Sequence, residues 1–167
     1  MNLTLAQKQV LKAKVTTEYP AAPDDIDTNT MIADALNLLV EPPYWVWRTQ
    51  VPPTDWFTGT FDFARVAALS VGEARVWTAL TDVKQFPYLN MSVAAIRAGV
   101  EFMFSVAGLD MPCRQAIYTA SQRRATVAEK TFAVGAGTVS NDHGVGPSTM
   151  AAEGNLTYQD VADARHS

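Results

Sequence analysis

The side chains able to do chemistry are few and widely separated. His143 and His166 are the only histidines among 167 residues, and Cys113 is the only cysteine. No His-x-x-x-His or Cys-x-x-Cys spacing occurs, so one chain offers no zinc ligand set. A nucleophile–base pair would need Cys113 or a serine beside one of those histidines. Cys113 falls in a helical, apolar setting, where a free cysteine acts as a small buried hydrophobe, and no Gly-x-Ser-x-Gly elbow is present. Gly135-Ala136-Gly137-Thr138 has the composition of a phosphate loop but lacks the Gly-Lys-Ser/Thr ending, and no lysine follows it. It also follows an expected helix, the wrong context for phosphate at a helix start, and reads as a hinge. Asp55, Asp62, Glu101 and Glu129 could converge as paired carboxylates in three dimensions. That keeps a small hydrolase as the alternative of a different class. The expectation is nevertheless no catalytic residue, no cofactor and no metal.

Rings and arginines are more informative. Trp45, Trp47, Trp56 and Phe57 share one short stretch with Arg48, and Trp and Arg are favoured at interface centres. Trp47 reads slightly better as packing a loop onto the body of the protein. For Trp56 and Phe57, after Pro52-Pro53 and flanked by polar residues, an interface is an equal reading. Arg123-Arg124 is a tight basic pair that fits a solvated helix end, or a contact with nucleic acid or an acidic partner. The net charge of −4 and pI of about 5.1 argue against a general nucleic-acid or anionic-membrane binder. Charge is uneven. Between residues 19 and 62, seven acidic side chains face the single cation Arg48, whereas 112–130 carries Arg114, Arg123, Arg124 and Lys130 against Glu129. This suits head-to-tail packing of identical subunits and is equally common on monomers.

The elements that must position these residues are mostly helical. A 48% hydrophobic content fits a globular protein with one sizeable core. Thr4 with Gln7, Ser70 with Glu73 and Thr126 with Glu129 are capping boxes that open helices. The first runs to about Val15, and a second, about Thr28–Glu41, stops at Pro42-Pro43. Tyr44–Thr49 is an extended segment or a half-turn. Further helices are expected near 60–69, from Ser70, over 91–106 and over 111–123, with Ser121–Thr126 as a bend. From Gly135 to Pro147 there is too little apolar surface to offset ordering entropy, so a flexible loop is expected. Asn155–Tyr158 reads as a short strand before a helical turn. Residues 1–134 thus read as a single-domain helical bundle, 135–149 as a flexible glycine-rich linker and 150–167 as an extended C-terminal docking arm. In that arm Leu156, Tyr158 and Val161 are the docking candidates. No apolar run reaches the roughly 20 residues that cross a bilayer, and Met1–Lys14 lacks a leader's apolar core, so synthesis and folding in a cytoplasm are expected.

Several stretches together carry a family resemblance. They are Met1-Asn-Leu-Thr-Leu-Ala-Gln7, Trp45-Val-Trp47-Arg-Thr49, Ile96-Arg97-Ala-Gly99, Arg123-Arg-Ala-Thr126 to Glu129-Lys130, Phe132-Ala-x-Gly135-x-Gly137-Thr138, and Glu153-Gly154-x-Leu156-Thr-Tyr158-Gln-Asp160-Val161. In this order, over nearly the whole chain, they resemble a family encoded among the virion genes of long-tailed bacteriophages. The stretch between Trp56 and Trp77 departs from it by being shorter and more helical. The resemblance implies a head–tail adaptor, a neck protein that stacks on the portal as a homo-oligomeric ring, or else another capsid- or tail-associated virion protein. It implies as partners further copies of the chain, the portal and other neck or tail proteins, with no membrane and with DNA met only incidentally in a channel. It implies a place in the virion after synthesis in the host cytoplasm.

Overall fold

The computed structural model describes all 167 residues. The protein is mainly α, with eight α-helices and four strands of two or three residues. All three capping boxes form. The Thr4 hydroxyl accepts from the Gln7 N–H at 3.3 Å while Gln7 accepts from the Thr4 N–H at 2.8 Å, opening α1 (Leu5–Glu18). Ser70 and Glu73 do the same for α4 (Val71–Thr81), and Thr126 and Glu129 for α7 (Val127–Phe132). A fourth box, Thr157 with Asp160, opens α8 (Tyr158–Arg165) in place of the expected strand over Asn155–Tyr158, and lengthens the helical turn expected after it. Aspartate in place of the usual Glu or Gln concealed that start.

Other boundaries also shift. α2 (Ile26–Leu36) ends short of Glu41. Its exit is bound by backbone pairing instead, the Val127 N–H to the Leu38 carbonyl at 2.9 Å and the Val40 N–H to the Ala125 carbonyl at 3.1 Å. The aromatic stretch becomes β1 (Trp45–Trp47), and the expected bend after α6 becomes β2 (Gln122–Arg124), its sheet partner. A 3-10 helix spans Pro53–Phe57, followed by α3 (Phe63–Ala67), α5 (Ala94–Met103) and α6 (Met111–Ala120). Antiparallel β3 (Ala133–Val134) and β4 (Thr149–Met150) pair Ala133 with Met150.

The chain divides into two compact units rather than bundle, linker and arm. Unit 1 comprises Met1–Tyr44, Arg124–Val134 and Thr149–Ser167. Its core joins Leu11 and Val15 of α1, Ile32 and Leu36 of α2, Ala128 and Phe132 of α7, and Leu156, Val161 and Ala164 of the C-terminal segment. Residues 150–167 are therefore no projecting arm here: α8 packs on both α1 and α2. Leu156 and Val161 are buried because that core is where their apolar surface leaves water.

Unit 2 comprises Trp45–Arg123 and Gly135–Ser148. Its core gathers Trp47, Trp56, Met91, Val100, Met103, Phe104, Ile117 and Tyr118. The glycine-rich segment lies along β1: the Trp45 N–H donates to the Gly137 carbonyl at 2.8 Å, and the Trp47 N–H to Ser148 at 3.0 Å. Polar side chains fix it in place of the missing apolar surface, so it is no free linker.

Candidate interaction surfaces

The glycine-rich segment is held by a charged cluster of α5 and α6. Glu101 accepts from the Tyr118 hydroxyl at 2.6 Å and from the Gly144 N–H at 2.7 Å, and pairs with Arg114 at 3.2 Å. Arg114 donates to the Asp142 carbonyl at 2.5 Å, and Arg97 to that of Gly144 at 2.8 Å. The Arg97 guanidinium also lies 5.0 Å from the centre of the Trp47 ring, a cation–π contact. Gln122 exchanges two hydrogen bonds with the Ser140 backbone. Burial, and then the Glu101 carboxylate, push the Tyr118 phenol well above its ordinary range. This cluster is satisfied within itself, and its chemistry is that of a clamp.

A second charged centre is the buried pair Arg65–Asp110. Asp110 also accepts from the Val106 N–H at 2.7 Å, and Arg65 lies 3.8 Å from Glu73. Cys113 is buried close by, its thiol raised mainly by desolvation and set against the Asp62 carbonyl at 3.4 Å. Each of the four candidate carboxylates has a structural partner of its own. Asp55 pairs with Arg48 at 3.0 Å, Asp62 caps α3, Glu101 holds the glycine-rich segment and Glu129 caps α7. No group of three or more His, Cys, Asp or Glu side chains could hold a metal ion. A groove of about 380 Å³ in unit 2 is lined by Thr58, Thr60, Gln115, Thr119 and Asn141 among others, with no titratable group.

The contact candidates separate by burial. Trp47 and Trp56 are core residues, and the Trp56 indole N–H reaches the Ser121 hydroxyl at 3.3 Å. Leu156 and Val161 are core residues of unit 1, so these four are not surface anchors. Trp45, Arg123 and Arg124 are half-buried, and Arg124 donates to the Val40 carbonyl at 2.9 Å. Arg48, half-buried, donates to the Ala120 carbonyl at 2.6 Å and is thereby spent on holding β1 against α6. Phe57 and Tyr158 do reach the surface.

Two exposed features were missed from sequence. Phe63 stands beside Phe57, ring centres 5.4 Å apart, on the aromatic cluster of Phe61, Trp77 and Phe104. α4 has no fully buried residue at all: Val76, Trp77 and Leu80 are half-buried against α5 and the rings, and Val71 is exposed. The signal was Phe63 and Val71 lying off the apolar face of short helices, legible only once those faces are fixed. No helix is long and apolar enough to cross a membrane. No protein-family model, no curated protein and no solved structure matches the chain.

Proposed function

We propose that this protein is a structural subunit of a tailed-phage particle, acting as a head–tail adaptor that stacks on the portal as a ring. The observation that carries the contact reading is the outer surface of unit 2. There α4 leaves Val71 uncovered with Phe102 exposed beside Gly72, and Phe57 and Phe63 are exposed where their rings meet each other and the Phe61–Trp77 cluster; apolar groups left open to water in this way are material for protein contacts. The placement in the neck rests on the family resemblance of the ordered stretches from Met1–Gln7 to Glu153–Val161. Engagement of every candidate carboxylate in a cap or ion pair favours contact over hydrolysis. The helical body would form the ring wall, and neighbours would meet through surfaces of the folded units rather than through an arm.

The test is electron microscopy of purified particles, locating this chain and counting its copies. A ring of copies between portal and tail is the expected result. Absence of the chain from the particle overturns the proposal, and its presence elsewhere in the particle favours the other virion role.

A further inference from the structure

α2 and α4 belong to different units, and each leaves one face uncovered. α2 buries Asn29, Ile32, Ala33 and Leu36. Its opposite side carries Asp27, Met31 and Asp34, continued just past the helix end by Leu38, at steps of four, three and four residues. That spacing makes a single stripe. Met31 and Leu38 are 55% and 66% exposed, and neither Asp27 nor Asp34 takes part in an ion pair. On α4 the outward stripe is Val71, Arg75 and Thr78, continued just past the helix end by Asp82, at the same steps. Val71 is 72% exposed, and Phe102 flanks it from beside Gly72. Arg75 and, just beyond the helix, Lys84 are exposed cations without an acidic partner.

We propose that the α2 stripe of one copy docks antiparallel on the α4 stripe of a second copy. In that alignment Leu38 covers Val71, Asp34 meets Arg75 and Met31 lies over Thr78. Asp27 falls opposite Asp82 at the end of α4, where the exposed Lys84, two residues on, is the cation within reach. Charge favours this occupant over others. Unit 1 holds ten acidic and six basic side chains against seven of each in unit 2, so the chain's whole negative excess lies on the unit that carries α2. Opposite charges across a contact fix register and suppress wrong pairings. The two faces differ, so the contact is heterologous. Each copy then keeps one face free for a further neighbour, the condition for closing a ring. The inference rests on reading the protein as an assembling subunit, and names the surfaces by which copies meet.

Disulfide trapping tests it in the full-length chain, since the one native cysteine, Cys113, is buried and does not compete. A chain carrying Leu38→Cys and Val71→Cys, oxidised at high concentration, is expected to give a ladder of linked dimers, trimers and longer species. Two chains with one cysteine each, when mixed, should stop at a dimer containing one of each. Leu5→Cys with Val71→Cys is the control, and a ladder no stronger than the control's overturns the contact, as does a monomer locked by an internal disulfide. Arg75→Glu in the trapping chain is expected to lower the linked yield about tenfold, and adding Asp34→Arg to restore it. Unchanged yield in Arg75→Glu overturns the pairing of those two residues. A ladder from a chain absent from particles leaves the contact standing and removes the virion reading. A neck ring without a ladder does the reverse.

Discussion

Glu101 is the residue on which the glycine-rich segment turns, because one carboxylate serves Tyr118, Arg114 and the Gly144 N–H. Its partner Tyr118 is fully buried, and burial first, then the carboxylate, favour the neutral phenol. The folded-state value lies above the ordinary 10.0. The stabilisation is therefore fully present below pH 10 and is lost as the pH rises beyond it, because the unfolded chain gives up the proton first. Denaturant midpoints should accordingly fall above pH 10, and Tyr118→Phe should flatten that fall in the same titration. Arg65 and Asp110 are exposed to a different risk. Removing one member of a buried, hydrogen-bonded pair leaves an uncompensated charge, so Asp110→Ala is expected to cost about 3–5 kcal/mol in urea unfolding. Replacing both residues by apolar side chains of similar volume should cost much less.

At the scale of elements, the segment 135–148 shows what local composition conceals. Its glycines announce freedom, yet Gly135 sits at φ +136° and Gly146 at φ +118°, conformations that a side chain strains. A Cβ on Gly135 would also come within 2.8 Å of the Ser148 hydroxyl, whereas one on Gly59 would meet nothing within 4 Å. Gly135→Ala and Gly146→Ala are each expected to cost roughly 1–3 kcal/mol, with Gly59→Ala at the low end of that range, all read as shifts in thermal midpoint. The helix starts were legible because a capping box is a local pattern of two residues. The order of this segment was not, because the groups that fix it, Arg97, Glu101, Arg114 and Gln122, lie between 18 and 47 residues away in sequence. The start and length of α8, expected only as a helical turn after a strand, were hidden for a smaller reason, the aspartate that completes its box.

For the whole molecule, residues 150–167 depart furthest from what their sequence suggests, because they complete the core of unit 1. Leu156 and Val161 read as anchors of an arm that docks on another subunit, and nothing in the local sequence signals that α1 and α2 of the same chain bury them. The same holds for Trp56: its ring had to be buried somewhere, and only the fold reveals that Ser121 waits for its N–H. Deleting residues 150–167 therefore takes Leu156, Val161 and Ala164 out of unit 1 and leaves Leu11, Ile32 and Leu36 short of cover. Unit 1 is expected to lose hydrogen-exchange protection across α1 and α2, while amides of α5 and α6 in unit 2 keep theirs. Equal loss in both units would mean that they do not fold separately.

The chain passes between the units four times, after Tyr44, Arg123, Val134 and Ser148. During translation that order becomes a timetable. Every residue of unit 2 has been made once Ser148 leaves the ribosome, whereas α1 and α2, the first helices synthesised, wait for α8. A polypeptide broken off before Thr157 would carry a finished α4 surface but no properly folded α2. On the proposed contact it could receive a neighbour yet not offer itself to one, so a truncated product would act as a chain stopper and not as a silent passenger.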